Sequence, residues 1–254
     1  MIKIILAQVA PKLKKICVKD FEAMVANGRK DADLLVFPEL CINGYLLKDA
    51  VFEDAYSLEE VEFFAKTSIG VDVVFGCALR LGHKIFNSSI YCCDGKVAHI
   101  HHKSALPNYG LFQEARFFFK GDTVSPFETR FGTTMMVICE EMFDSSIIHA
   151  LASVKPDLVL VIANSPARGF GENGLMIESQ WQSLLSSSAI LTGSHVAFVN
   201  RVGFEDGLGF WGGSRVLNPK GEVTCKAKLF EEEFLDCVVD KQLSRAQKYM
   251  LRLN

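Results

Sequence analysis

The chain of 254 residues lacks most of the features that would place it outside the compact globular class. It has no apolar run near the roughly 18 residues that a membrane helix needs. Its first apolar stretch ends at Pro11, too short for the apolar region of a signal peptide, and no small-residue cleavage site follows. A cytoplasmic protein without a membrane partner is the expectation. No basic stripe and no block of like charge occur: 27 Lys and Arg are interspersed with 30 Asp and Glu for a net charge of −3, which argues against nucleic acid. The eight cysteines (17, 41, 77, 92, 93, 139, 225, 237) lie mostly in apolar runs and form no CxxC pair, so reduced thiols are expected. No linker, repeat or low-complexity stretch interrupts the chain, and residues 1–254 read as a single domain.

What is present is ample core, with 49% hydrophobic residues and 20 phenylalanines. Residues 2–9 read as a strand, 19–30 as a helix with Phe21, Met24 and Val25 on one face, and 34–37 as a strand running into Pro38 and Glu39. A helix over 58–66 and strands over 71–79 and 85–93 follow, the last turning at Asp94-Gly95 to pair back along 97–101. Residues 133–138 form an apolar strand, then come helix 147–154, strand 158–163, helix 178–191 and strand 196–200. A glycine-rich turn at 203–213 precedes strands near 214–218, 222–227 and 234–239. Interleaved strands and helices define an α/β chain. The pattern favours two packed sheets covered outside by helices over one open sheet, although periodicity does not decide between them.

The stretch MMVICEEMF places Cys139 where an apolar strand gives way to acidic residues. A free thiol has a pKa of roughly 8.5, so a working cysteine needs a base or a positive field nearby, and a lone strand cysteine is most often core. Glu39, after LLVFP, is either a helix-start acid or a base at the mouth of a sheet. Lys103, closing HIHHK, is by itself an ordinary surface lysine. Glu114 lies in the aromatic loop PNYGLFQEARFFF, where desolvation would raise its pKa. Together the four are chemically complete: a carboxylate takes the thiol proton, the thiolate attacks an amide carbonyl, and an ammonium supports the oxyanion.

Other clusters carry less. His99 and His101 share a strand face while His102 points away, and no ligand set completes them, so no metal is expected. The glycines at 203, 207, 209, 212 and 213 match no phosphate-binding pattern and read as tight turns. Trp181, Trp211, Phe112 and Phe117 to Phe119 read as core or as pocket lining, and Arg168 as a carboxylate ligand or a solvated loop residue.

LLVFPEL, HHKSALPNYGLFQE and VICEE, with ANSPARG at 163–169 and NRVGFEDGLGFWGGSRVLNPKGEV at 200–223, resemble the nitrilase superfamily of carbon-nitrogen hydrolases from end to end. KSALPNYGLFQEARFF followed by ICEEMF is most similar to the glutamine-amidase domain of glutamine-dependent NAD synthetases. The SGGxDS loop of a synthetase domain does not occur, which implies a free-standing amidase. The resemblance implies a four-layer αββα sandwich of two mixed sheets and a homodimer or higher homo-oligomer. It implies Glu39 as base, Cys139 as nucleophile, Lys103 with the backbone N–H of Glu140 as oxyanion support, and Glu114 as positioning acid. Tyr45, Glu140, Ser165 and Arg168 become the expected substrate-binding residues. The expected substrate is a small amide, either a terminal carboxamide such as glutamine or an N-carbamoyl compound, and the chemistry needs no cofactor. The alternative is a partner-dependent or non-catalytic subunit that supplies ammonia to, or binds, another protein. Two departures stand out: Met135 and Met136 replace a glycine common before the nucleophile, and the tail after residue 240 is short.

Overall fold

In the computed structural model, which describes residues 1–29, 31–172 and 174–253, strand Ile2–Gln8 is buried along nearly its whole length because both edges and both faces find partners. It pairs antiparallel with Glu233–Val239 and parallel with Leu34–Val36. Strands Asp72–Leu81, Lys84–Cys93 and Lys96–His102 extend that sheet, and the short strand Tyr56–Ser57 joins as its seventh member. A second, six-stranded sheet runs in the order Val223–Lys226, Arg215–Leu217, His195–Asn200, Leu158–Ala163, Gly132–Ile138, Phe127–Thr129. Parallel pairs lie at the centre of both sheets and antiparallel pairs toward the edges.

The alternation of side chains across each strand builds the layers. Ile4 and Leu6 face the second sheet, together with Leu160 and Ile162, while Ile5 and Ala7 face outward under helix Val18–Arg29. That helix buries Phe21, Val25 and Gly28, spaced by about one and two turns. On the far side Val159, Val161 and Ala163 meet Trp181, Leu185 and Ala189 of helix Met176–Thr192 and Ile147 and Leu151 of helix Ser145–Val154. The result is the expected αββα sandwich of two mixed sheets. Helix starts carry their signatures: Ser57 and Glu60 form a capping box, and Asp144 accepts from the backbone N–H of Ser146 at 2.8 Å. No described helix is long and apolar enough to cross a membrane.

Three expectations change. The glycine-rich segment at 203–213 is a hairpin, Val202–Glu205 against Leu208–Trp211, turned by Asp206 and Gly207 at φ 46° and 82°; two consecutive positive φ values suit a two-residue turn whose twist matches the strands. The tail after 240 is helix Lys241–Leu253, held by Ser244 Oγ donating to Gly193 O and by Lys248 against Asp157. Cys225 and Cys237 are joined in a disulfide with a Cα separation of 6.1 Å, while the other six cysteines are free. Spacing gave no sign of that bond, because it links an edge strand of one sheet to an edge strand of the other and exists only once the sheets are stacked. Residue 30, the expected end of the first helix, lies outside the described residues, and helix Val18–Arg29 is described to residue 29.

Leu160 is fully buried in the layer between the sheets. Leu160→Ala is expected to lower stability by roughly 2–5 kcal/mol in urea unfolding without changing the slope of the transition.

Candidate active site

The ends of strands from both sheets converge on one small volume. Glu39 follows Leu34–Val36, and Lys103 follows Lys96–His102. From the facing sheet Cys139 follows Gly132–Ile138, and Asn164 follows Leu158–Ala163. Strand ends are where backbone groups are free of the ladder and side chains can meet across the layers.

Each residue is placed by local chemistry. Cys139 sits at φ 48°, a left-handed conformation that costs a non-glycine residue roughly 1–3 kcal/mol, at the turn from its strand into the 3₁₀ segment Cys139–Phe143. Glu141 holds that turn: it accepts from the backbone N–H of Ile138 at 2.7 Å and from both the N–H and hydroxyl of Ser104 at 2.7 and 2.6 Å. His101 Nε2 reaches the same carboxylate at 2.9 Å. The nucleophile turn is thus tied to the strand that carries Lys103. Glu39 lies in a turn packed against Gly76, where an added Cβ would meet Leu40 N at 2.3 Å and Glu39 Cα at 2.7 Å. Only glycine lets that backbone approach so closely.

Lys103 is fully buried, which overturns its reading as a surface lysine. Its ammonium donates at 2.8 Å to Glu39 Oε1 and at 2.8 Å to Glu114 Oε1. Glu39 Oε1 also accepts from Asn87 Nδ2 and its Oε2 from the backbone N–H of Asn164, each at 2.7 Å. A buried charge is tolerable when paired and hydrogen-bonded to this degree. The two carboxylates hold the lysine pKa well above its ordinary value, against the downward pull of burial. Glu114 is pushed up to about 7 by burial; Lys103 lowers it and Glu39 raises it again, since one cation serves two acids. Burial pushes the Cys139 thiol up and the two carboxylates push it further, while Lys103 and the backbone N–H of Asn164 favour the thiolate. Burial and the two carboxylates thus favour the protonated sulfur.

The four expected catalytic residues therefore lie in one site. Tyr45 is buried among them, its hydroxyl donating to Glu114 Oε1 at 2.7 Å. Glu140 accepts from the Tyr109 hydroxyl at 2.9 Å at the rim, beside an open cleft of about 470 Å³ lined by Leu106, Tyr109, Phe143 and Ser145. Arg168 is exposed, 5.9 Å from the Phe112 ring centroid. Ser165 turns its hydroxyl into the core, where it accepts from Trp181 Nε1 at 2.8 Å and Trp211 Nε1 at 3.3 Å. Both tryptophans belong to the core, whereas Phe112, Phe117 and Phe118 line a second cavity of about 340 Å³ that reaches Tyr45 and Glu114. Among the described residues no cluster suited to a metal ion occurs, and His101 serves Glu141 instead.

Sequence reasoning passed over Asn87, Asn164, Glu141 and Gly76. Asn87 pairs with Glu39 across 48 positions of chain, a contact that only sheet register creates. Glu141 carried half a signal, an acid three residues after Ile138 whose carboxylate accepts that residue's N–H, with no side-chain acceptor at Ile138 to complete a capping box.

A fold of this topology with a buried acid and lysine facing a half-buried cysteine at strand ends defines the nitrilase-type class of hydrolases. The carbon-nitrogen hydrolase family model matches residues 6–249, and the chain belongs to that family. It is a hydrolase of carbon-nitrogen bonds other than peptide bonds. It is 31% identical over 254 residues to the glutamine-dependent NAD(+) synthetase of Acinetobacter baylyi, covering 97% of this chain and 46% of that protein. The chain thus spans about half the length of that relative. Among solved structures, the glutamine-dependent NAD+ synthetase of Acinetobacter baumannii superposes with a TM-score of 0.81 at 28% identity, over 94% of this chain and 47% of that one. The carbon-nitrogen hydrolase of Helicobacter pylori G27 superposes with a TM-score of 0.89 at 21% identity, over 100% of this chain and 95% of that one.

The position of Glu114 sets a pH dependence. Native Glu114 keeps its proton up to about 7, whereas the unfolded carboxyl releases it near 4.5. Its contribution to stability is therefore expected to fall as pH rises through that window and to stay level above it. Ionising Glu114 adds a negative charge that pushes the Cys139 thiol pKa up, so the rise of iodoacetamide alkylation of Cys139 with pH is expected to become less steep above a midpoint near 7. A Glu114→Gln protein that kept this midpoint would show that another group titrates there.

Proposed function

We propose that the chain is a cysteine-dependent amidase that hydrolyses a terminal carboxamide of an α-amino acid, with L-glutamine the leading substrate, and releases ammonia. The observation that carries this reading is the buried Glu39–Lys103–Glu114 arrangement beside a cysteine held in a left-handed turn.

The chemistry follows from the placement of the groups. Glu39 takes the proton of Cys139 as the sulfur adds to the amide carbon, and the carbonyl oxygen becomes an oxyanion facing the Lys103 ammonium and the backbone N–H of Glu140. The carbon-nitrogen bond then breaks; the proton held by Glu39 passes to the leaving nitrogen, and ammonia departs from a thioester. Water gives a proton to Glu39 as its oxygen attacks the thioester, and the collapse returns the thiol and a carboxylic acid. Each oxyanion donor is worth about 2.7–4 kcal/mol in such a site.

Charge at the rim supports an amino-acid amide. Glu140 offers a carboxylate to an α-ammonium group, and the exposed Arg168 a guanidinium to an α-carboxylate. A second reading, in which the ammonia passes to a partner, rests on one fact: the Acinetobacter baylyi relative, a glutamine-dependent NAD(+) synthetase, is about twice as long as this chain.

Ammonia release from L-glutamine, simple aliphatic amides and N-carbamoyl amines, measured beside Cys139→Ala protein, tests the reading. Release from L-glutamine that vanishes with the cysteine is expected. Release confined to N-carbamoyl amines would reject the carboxamide substrate, and release that survived in Cys139→Ala would reject the nucleophile.

Lys103→Ala is expected to lower turnover by roughly 10²–10³, the cost of one oxyanion donor. The change also leaves two buried carboxylates without a cation, so its melting temperature is expected to fall as well. Lys103→Met, which fills the space but also lacks the charge, is expected to lose as much turnover and to recover only the part of the melting temperature that the Ala variant loses to the cavity.

A further inference from the structure

Beyond the groups that face the reacting atoms lies a second buried ion pair, Arg201 with Glu205, to which the chemistry above gives no task. Replacing such a pair by apolar residues is often neutral for stability, so stability alone does not account for it. Its contacts show a different use. Glu205 Oε1 accepts the backbone N–H groups of both Tyr45, at 2.8 Å, and Leu46, and its Oε2 meets Arg201 Nη1. Arg201 donates onward to Pro11 O at 3.1 Å, and its guanidinium carbon lies 4.3 Å from the Phe210 ring centroid. Phe210 in turn sets its ring edge against Tyr45 with centroids 6.3 Å apart. Backbone and ring of Tyr45 are thus gripped by one hairpin.

The gripped segment needs this. Leu40, Gly44 and Lys48 all have positive φ, so the loop that carries Tyr45 has no regular ladder to hold it. Yet Tyr45 must deliver its hydroxyl to Glu114 Oε1, the same oxygen that receives Lys103. We infer that Glu205, clamped by Arg201, is a positioning residue for the reaction: it fixes Tyr45, and through the Tyr45 hydroxyl it fixes Glu114 and Lys103. The inference rests on the amidase reading above. The same hairpin also holds the opposite rim, through the backbone N–H of Ala167 donating to Gly209 O at 2.8 Å.

The test is a double-mutant cycle on wild type, Tyr45→Phe, Glu205→Gln and the double variant. The readout is the rate at which iodoacetamide, itself a primary carboxamide, alkylates Cys139, with melting temperature measured in parallel. Tyr45→Phe removes only the hydroxyl, and Glu205→Gln keeps the shape while removing the charge that Arg201 clamps. Each single change is expected to slow alkylation by about tenfold to a hundredfold, the scale of a small misplacement. The double variant is expected to be no slower than the worse single one, because both act through the same hydrogen bond. Losses that multiply would overturn the inference, as would a Glu205→Gln protein that melted earlier yet alkylated at the wild-type rate. An unreactive wild-type Cys139 would overturn the amidase reading and this inference together. Should Glu205→Gln not fold, Glu205→Asp, which keeps the charge but shortens its reach to the Tyr45 backbone, takes its place in the cycle with the same expected outcome.

Discussion

The structure turns on one ammonium group enclosed with two carboxylates. Removing Lys103, Glu39 and Glu114 from water is costly, and the cost is offset by the ion pairs and hydrogen bonds gathered around them, with Glu114 Oε2 the one carboxylate oxygen of the set left without a partner among the described residues. The demand for partners reaches outward. Asn87 and the backbone of Asn164 complete Glu39, and Tyr45 completes one oxygen of Glu114. These partners come from separate segments of chain, so satisfying one cation fixes the relative positions of two sheets and two loops.

Backbone geometry does comparable service. The thiol is aimed by a residue held where side chains are rarely found, and Glu141 keeps it there by bonding to the strand end and to Ser104 at once. Gly76 acts by lacking a side chain, which lets the turn bearing Glu39 lie flat on a strand of its own sheet. The 3₁₀ turn, the buried acid and the missing Cβ share one outcome: each ties Cys139 or Glu39 closely to a neighbouring strand.

Much of this was readable from the chain. The alternation that put Ile5 and Ala7 on one face and Ile4 and Leu6 on the other marks a strand buried on both sides, which suits stacked sheets and one open sheet alike, so the choice came from the family resemblance. Glu39 and Cys139 stood out because each follows an apolar run, and Glu114 because it lies among aromatic residues, whereas Lys103 was marked only by the family resemblance. The rest depended on register or stacking, which spacing does not encode. Asn87 faces Glu39 only through strand pairing, and Cys225 meets Cys237 only across two sheet edges. Hairpin Val202–Glu205 with Leu208–Trp211 was hidden by its glycines, which weaken any strand pattern. Lys103 looked like a surface residue for the same reason: nothing in its own neighbourhood of sequence discloses two acids waiting in space.

The acid and the lysine belong to one sheet and the cysteine to the other. Neither half is an enzyme on the way to the native state: a chain that has formed its strands but not stacked them carries an ordinary cysteine and an ordinary surface lysine. In a chain whose sheets have not stacked, Cys139 and Lys103 share no site, so on the proposed reading the amide chemistry exists only in the stacked sandwich.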